Sequence, residues 1–548
     1  MSRAAQNEDS ESTAHRAEYQ FTRYARSTRR HHRYVQRTTL GRNHLQSNQR
    51  MNQDVIIIGG GLGGLFTGAL LAHEGLVVKV LEKNATIGGG LQTFRRGNVE
   101  FETGMHILGG FRKGGTLRRI CSHLGIMENL AIRHLDADCM DEITCASDGK
   151  TYRIASGRNA FVLSLAEHFP HQQGKLNEYV DALYNIANEV DAFYLRPSST
   201  GLPQHSEHFL WSADELISHY ISDPRLRNLL AYMNPMYGGV KGKTPAYIHA
   251  LINVLYIDGP SRFEGGSLQL AEALKDVIIR AGGEVVGNAP VESIEVAEHK
   301  VQRVVTIDGT VHTAQKYIAA IHPSELFRII TPGALPKAYQ NRLKNIPNTY
   351  SAFTLFIEFR DETFPYINHT CYYERDYDNI WNLAQYDEAS WPAGFMYMTP
   401  ATAKQGSFAS HMIINCIMPY QAVEQWADTR TGRRGVEYET WKAARCEDII
   451  CLMEKCYPNF RLALKRVHAA SPLTVRDYFH TPNGSLYGYA KDCHNIILTQ
   501  VPVVTKIPNL FLTGQNVGLH GICGVPLSAI TTAEAIVGAN KIVNQMQP

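Results

Sequence analysis

One segment near the N-terminus constrains this chain more than any other, because it reads as a strand, a glycine-rich turn, a helix and a second strand. The apolar run Val55–Ile58 has the length and the β-branched content of a buried parallel strand. It leads into a G-x-G-x-x-G turn at Gly59, Gly61 and Gly64, and the second strand ends at Glu82. An acid about twenty residues beyond the glycines completes the pattern of a dinucleotide-binding βαβ unit.

Each residue of this pattern has a separate physical role. Gly59 permits the tight turn, Gly61 lets a pyrophosphate approach bare backbone, and Gly64 lets the helix lie close on the sheet. The start of the helix offers free N–H groups and a partial positive charge to phosphates. Glu82 can accept hydrogen bonds from both hydroxyls of an adenosine ribose. The segment therefore predicts a bound dinucleotide.

A second glycine cluster indicates which dinucleotide is bound. Gly88 and Gly89 follow the ribose acid by about six residues, where a nicotinamide-binding domain usually continues into a plain βα unit. Glycines at this point look like the flavoprotein pattern, in which the backbone passes close to FAD. We therefore expect FAD.

The C-terminal segment carries a further glycine-rich motif. A predicted strand leads to Thr513-Gly514-Gln515, and a loop containing Gly521 and Gly524 follows. These glycines keep side chains away from a cofactor that lies against the loop.

A helix is predicted directly after this loop, from Val525 to Val537. Pro526 suits its first turn and Gly538 its C-terminal cap. Free N–H groups at a helix start near Val525 would stabilise negative charge on the reduced flavin ring.

Together these motifs resemble the phytoene desaturase, carotenoid isomerase and all-trans-retinol saturase family of FAD-dependent oxidoreductases, over about residues 51–548. The resemblance implies an α/β fold, with a Rossmann-type FAD-binding domain of interleaved segments and an α+β substrate domain. It implies that C=C bonds of a hydrophobic carotenoid or retinoid are added, removed or isomerised by hydride transfer to or from flavin N5. It also implies that Val291 contacts adenine through its backbone. One departure is Gln515, which stands where many relatives carry an acid; its amide can still bond a ribityl hydroxyl.

The domain organisation follows from where these motifs lie. We expect residues 51–130, 261–330 and 480–548 to form the FAD-binding domain. Residues 131–260, read as largely helical, and 331–479, with strands and one long helix, are expected to form the substrate domain.

Candidate catalytic residues are fewer and less specific. His106 and His520 lie in glycine-bracketed loops, and either could donate a proton to a substrate carbon. The alternative for each is a histidine that is merely bonded to backbone. Tyr487 could flank the flavin ring or be a packed aromatic. Arg262 and Glu264 could form an ion pair that lines the cavity or a solvated pair.

The region around residues 247–256 is apolar on nearly every face, which suits either a long polyene or a buried core helix. No run of 18 apolar residues occurs, so we expect no membrane span but allow shallow docking on a bilayer. Ten cysteines without a C-x-x-C pair predict reduced thiols, a cytoplasmic protein and no metal site.

Charge is distributed unevenly along the chain. Residues 1–50 contain ten arginines and four acids, about +6, which leaves about −4 for the remainder. We expect this tail to be disordered and outside the fold. The slightly acidic body gives no support for nucleic-acid binding.

Two alternative functions are compatible with these motifs. A flavin amine oxidase or protoporphyrinogen oxidase shares the expected fold, although residues 513–530 lack the aromatic pair usual in amine oxidases. A prenyl-binding protein like Rab GDP-dissociation inhibitor shares the fold without a flavin. The intact glycines and Glu82 argue against that second class.

Overall fold

A computed structural model of the protein describes residues 53–198, 205–402 and 406–546. The predicted disordered tail, residues 1–50, lies outside the described residues, so that expectation stays a prediction. Residues 52–548 form one compact unit.

The strands and helices alternate along most of the described chain. The strands are β1 Val55–Ile58, β2 Val78–Leu81, β3 Thr93–Arg96, β4 Val99–Glu102, β5 Ile132–His134, β6 Asp141–Cys145, β7 Lys150–Ile154, β8 Ser261–Phe263, β9 Glu284–Val286, β10 Val291–Ala297, β11 Lys300–Thr306, β12 Val311–His312, β13 Lys316–Ala319, β14 Ser351–Phe359, β15 Thr370–Glu374, β16 Gly394–Met398, β17 His411–Met418, β18 Leu464–Ala470 and β19 Leu510–Leu512. The helices are α1 Leu62–His73, α2 Thr116–His123, α3 Arg158–Ala166, α4 Gln173–Asn188, α5 Ala213–Tyr220, α6 Pro224–Leu229, α7 Ala246–Ile257, α8 Leu268–Arg280, α9 Pro323–Ile329, α10 Lys337–Lys344, α11 Val436–Cys456, α12 Phe460–Ala463, α13 Pro472–Phe479, α14 Ile496–Thr499, α15 Gly521–Val537 and α16 Lys541–Gln545.

A five-stranded parallel sheet in the order β19-β13-β1-β2-β9 forms the first half of the fold. Its strand β1 is buried on both faces, as its continuous apolar sequence predicts. Val55 and Ile57 face a helical core that includes Leu65, whereas Ile56 faces the opposite core. The Rossmann-type α/β fold expected from the sequence is thereby confirmed. All five strands lie in the three segments assigned to the FAD-binding domain.

A seven-stranded mixed sheet in the order β18-β14-β17-β16-β15-β6-β7 forms the second half. Its strands come from residues 141–154 and 351–470, which the sequence assigns to the substrate domain. The two domain boundaries themselves stay a prediction. The expectation that residues 131–260 are largely helical is wrong at its start, because β6 pairs there with the distant strand β15 and β7 pairs with β6. Such long-range pairing is not encoded in local periodicity.

A small antiparallel sheet of β10, β11 and β12 covers the other side of the parallel sheet. Asp308-Gly309, a dipeptide typical of hairpin turns, joins β11 to β12, and Gly309 has the positive φ of 82° that such a turn requires.

The C-terminal helix differs from its prediction. Helix α15 begins at Gly521, so Pro526 lies inside it rather than in its first turn. The turn into the helix is made by extended His520 and by Gly521, whose φ is +74°. The proline removes one backbone donor, which leaves the carbonyl of Ile522 without its usual partner. Gly538 caps the helix as predicted. Within the described residues, no helix is long and apolar enough to cross a membrane.

Candidate functional site

The glycine-rich turn after β1 has the geometry of a phosphate cradle. A Cβ atom at Gly64 would lie 2.0 Å from the carbonyl oxygen of Gly59, so glycine is what lets α1 rest on the turn. A Cβ at Gly61 would meet only Gly89, at 3.9 Å, and otherwise points into open space. Gly61 therefore presents bare backbone at the start of a helix, where an anionic group is favoured.

Glu82 lies directly after β2, beside this turn, and only 5% of its surface is exposed. Its Oε2 accepts the backbone N–H of Gly60 at 2.8 Å, and its Oε1 accepts that of Asn84 at 2.9 Å. A carboxylate has about four acceptor positions, so each oxygen keeps one for a ribose hydroxyl. The role predicted for Glu82 fits this arrangement.

The second glycine cluster packs directly on the first. The N–H of Gly88 donates to the carbonyl of Gly60 at 2.8 Å, and a Cβ at Gly89 would lie 3.1 Å from the Cα of Gly61. Both residues have positive φ, 105° and 57°. The two clusters together leave a side-chain-free wall, which a bulky cofactor needs in order to reach the backbone.

The C-terminal motif closes the same space from the other side. A Cβ at Gly63 would lie 2.7 Å from the Cα of Gly514, and the hydroxyls of Thr67 and Thr513 are 2.8 Å apart. The Gln515 amide makes no side-chain hydrogen bond to any described residue and lies at the cavity, so it is free for a ribityl hydroxyl.

A cavity of about 770 Å³ connects these motifs and is within the size range of protein ligand pockets. Nine of the residues predicted to bind the cofactor line it: Gly59, Gly61, Glu82, Gly89, Val291, Gly514, Gln515, Gly521 and Val525. Three others lie behind its wall. Gly64 and Gly88 pack backbone on backbone, and a Cβ at Gly524 would lie 2.6 Å from Leu519. Gly524 thus serves the packing of its own loop.

His106 lines the cavity and is held by a carboxylate that the sequence did not single out. Its Nδ1 lies 2.9 Å from Oε1 of Glu102, and the same oxygen accepts the backbone N–H of Ser267 at 2.9 Å. Burial alone would raise the pKa of Glu102, but the hydrogen bonds from His106 and Ser267 outweigh it and lower that pKa. The sequence signal that could have revealed this pair is the spacing Glu102-x-x-x-His106, in which Glu102 is the last residue of β4.

The two other catalytic candidates contact each other but play different parts. Tyr487 lines the cavity, and its hydroxyl donates to the carbonyl of Pro235 at 2.8 Å. The ring of His520 lies 5.0 Å from that of Tyr487 and borders a separate small cavity of about 30 Å³. His520 is 6% exposed, and neither ring nitrogen has a partner among the described residues. Burial lowers the pKa of His520 to about 3, so it is neutral at pH 7.

The expected pair of Arg262 and Glu264 does not form. The buried Arg262 guanidinium donates to backbone carbonyls, including those of Thr399 at 2.9 Å and His369 at 2.7 Å. Glu264 pairs instead with Arg133. Strand β8 ends at Phe263, so Glu264 lies beyond it and meets Arg133 of β5, while the Arg262 side chain is buried toward the carbonyls of Thr399 and His369.

The end of the cavity beyond the glycine motifs has a different character. It is lined by apolar and aromatic side chains from the substrate sheet, from α7 and from loops that precede α7 in the chain: Ile107, Met236, Tyr256, Met396, Ile417 and Ala470. Helix α7 itself is mainly a buried core helix, with Tyr256 reaching the cavity. The cavity thus joins a polar nucleotide end to an apolar end.

This architecture is that of a dinucleotide-dependent oxidoreductase. It combines a Rossmann-type sheet and a phosphate-binding turn with an acid placed for a ribose and an apolar region of the same cavity. The chain matches the protein family described as flavin containing amine oxidoreductase over residues 62–406, which is well over half of its length. It belongs to that family and is an FAD-dependent oxidoreductase.

Several individual proteins are similar to most of this chain. Human all-trans-retinol 13,14-reductase is 26% identical and is matched over 89% of this chain and 86% of its own. Prolycopene isomerase 2 of an Oncidium hybrid cultivar is 22% identical, over 88% and 83% of the two chains. The crystal structure of an oxidoreductase from Methanosarcina mazei superposes with a TM-score of 0.60 at 17% identity, over 88% of this chain and all of that one. The resemblance to the retinol saturase and carotenoid isomerase family is confirmed by these relatives.

Proposed function

We propose that this FAD-dependent enzyme adds, removes or isomerises C=C bonds in a hydrophobic polyisoprenoid, a carotenoid or a retinoid. The observation that carries the proposal is the joined cavity, whose apolar end is continuous with the flavin end. Met236, Met396 and Ile417 offer no charge for an ammonium substrate but a suitable surface for a polyene. The relatives named as a retinol reductase and a prolycopene isomerase support the same substrate class.

The reaction needs both hydride transfer and proton transfer, and residues of this chain would supply the proton transfer. Bound FAD supplies hydride transfer at its N5. A change at a C=C bond also needs a proton moved at the neighbouring carbon. His106 is the suited group, because Glu102 holds its Nδ1 and leaves Nε2 for the cavity.

The test is turnover of polyenes by the purified FAD-loaded protein without oxygen. The protein, with its flavin either reduced or oxidised, would be incubated with all-trans-retinol and with an acyclic carotene. The lipid-soluble products would be separated by chromatography and their masses measured by mass spectrometry. A gain of two hydrogens indicates a saturase, a loss indicates a desaturase, and an unchanged mass with altered retention indicates an isomerase. A Gly61→Val variant, which we expect not to bind FAD, is the negative control.

One result would contradict the proposal. The family description takes in amine oxidoreductases, so a panel of primary amines and polyamines would be run beside the polyenes, with hydrogen peroxide as readout. Amine oxidation with every polyene left unchanged would reassign the enzyme.

We also propose that the enzyme works in the cytoplasm and contacts membranes peripherally, because polyisoprenoids dissolve in bilayers. Helix α14 exposes Ile497 and Leu498, 84% and 53% exposed, in a short apolar surface. Liposome flotation tests this: we expect part of the protein to float, and less of an Ile497→Ser, Leu498→Ser variant. Protein that stays entirely at the bottom would contradict membrane contact.

A further inference from the structure

Three potential metal ligands meet on the substrate sheet, far along the chain from one another. The ligand atoms of Cys139, Glu142 and His369, here called the Cys-Glu-His cluster, all lie within 4.8 Å of one another. Nε2 of His369 is 3.9 Å from Oε2 of Glu142. Cys139 is fully buried, and the other two are partly buried.

The strand register explains why Glu142 and His369 meet, and Cys139 lies in the segment directly before β6. Strands β6 and β15 are parallel neighbours, with Glu142 opposite Cys371. Because side chains alternate along a strand, residues 369 and 371 lie on the same face as Glu142. Tyr372 lies on the other face and is paired with Met396, which lines the flavin cavity. The cluster is therefore separated from the flavin cavity by the sheet.

The acidic member of the cluster is available to a cation, and a metal displaces the proton of a cysteine thiol when it binds. The Glu142 carboxylate makes no hydrogen bond to a described residue and has no ion pair closer than His369.

The donor set selects a class of metal. A thiolate, an imidazole and a carboxylate are together the ligands of Zn²⁺ and of chemically similar divalent ions, whereas Mg²⁺ and Ca²⁺ prefer oxygen alone. Three protein ligands with one position open to water is a usual arrangement for Zn²⁺.

We propose that Cys139, Glu142 and His369 bind one zinc-type divalent cation, which holds the segment before β6 against β15. On binding, the Cys139 thiol loses its proton to solvent and its sulfur forms the bond to the metal. The sheet separates this site from the flavin cavity, so the metal takes no part in the reaction at the flavin.

Metal content and Co²⁺ absorption test the proposal on the FAD-loaded protein. After chelator treatment, Zn²⁺ would be added, excess removed by dialysis, and metal per chain measured by mass spectrometry. Co²⁺ would be titrated in parallel, because its thiolate complexes absorb to the red of the flavin band. We expect one equivalent, and binding roughly tenfold weaker or more in Cys139→Ser, Glu142→Gln and His369→Asn.

Matched variants separate the cluster from other thiols and histidines. Cys145→Ser removes another buried thiol of β6, on the opposite face, and should leave binding unchanged. Arg153 lies opposite Glu142 across β6 and β7, so Arg153→Gln removes a repelling charge and should tighten binding. A His123→Ala background excludes the surface group of His73, Glu74 and His123.

Two results would overturn the proposal. One is a wild-type protein that retains no zinc after dialysis. The other is equal binding by wild type and by the three ligand variants. Retained flavin absorption shows that each variant is folded, and Glu142→Gln, which alters the most exposed of the three side chains and keeps its shape, is the variant least sensitive to misfolding.

Discussion

At the scale of single residues, Glu82 carries the most specific cofactor contact. We predict that Glu82→Gln weakens FAD binding by roughly tenfold to a hundredfold, because hydrogen bonds to a charged acceptor contribute about 1.5–3 kcal/mol each. In wild type the Glu82 carboxylate accepts hydrogen bonds from the backbone N–H groups of Gly60 and Asn84. The glutamine NH₂ group would place a second donor beside one of these N–H groups, so that hydrogen bond is lost. The measurement is the dissociation constant from titration of the apoprotein with FAD.

The matched control for this prediction lies on the neighbouring strand. Glu284 of β9 pairs with Lys79 and has a side chain that is 57% exposed. Glu284→Gln should leave FAD affinity within about twofold of wild type, since surface pairs contribute little. Equal losses in the two variants would show that Glu82 acts through the stability of the sheet rather than through the ribose.

At the scale of elements, the start of α1 combines two functions that substitution can separate. Gly61→Val should leave the apoprotein folded but colourless, because its side chain would enter the open phosphate cradle. Gly64→Ala should destabilise the fold itself, by more than the 1–3 kcal/mol typical of overpacking, because its Cβ would overlap the Gly59 carbonyl at 2.0 Å.

Two measurements distinguish these outcomes. The thermal midpoint of the apoprotein reports the fold, and the flavin absorption after incubation with FAD reports the cradle. Gly174→Ala, within α4 where no atom lies within 4 Å of the added Cβ, is the control for a helical glycine replaced without steric overlap. A stable, flavin-free Gly64→Ala protein would reverse the assignment.

At the scale of the whole molecule, buried neutral histidines set the acid stability. Burial lowers the pKa of His249 and His520 to about 3 and that of His322 and His411 to about 4. Their ordinary value is 6.5. Between these values the unfolded chain binds more protons than the folded one, so this stability is complete above pH 6.5 and is lost as the pH falls. We predict a free energy of unfolding that declines by about 1.4 kcal/mol per pH unit for each proton taken up.

Denaturant unfolding of the FAD-loaded protein between pH 7.5 and 5 measures this slope. His249→Asn removes one buried titrating group and should reduce the slope by up to about one proton. His171→Asn alters a histidine with a 62% exposed side chain and should not change it. A slope that is the same in all three proteins would show that other groups govern acid unfolding.

Much of the fold could be read from local sequence. Strand β1 has the predicted bounds, and α15 ends at Val537 as predicted. Strand β6 could not be read, because its partner β15 lies more than 200 residues away, and β7 joins the sheet through β6. The beginning of α15 was missed because the sequence offered Pro526 as a start, whereas the turn is made at Gly521.

The sequence by itself determined the parts that depend on short-range geometry: a tight turn, a helix start and an acid one strand away must follow in order, and each needs its own residue type. Only the tertiary structure decided which distant side chains meet. It gave Arg262 to backbone carbonyls, left both ring nitrogens of His520 without a partner among the described residues, and brought Cys139 to His369. The physical reason is that such contacts depend on strand order and burial across hundreds of residues, which no local pattern carries.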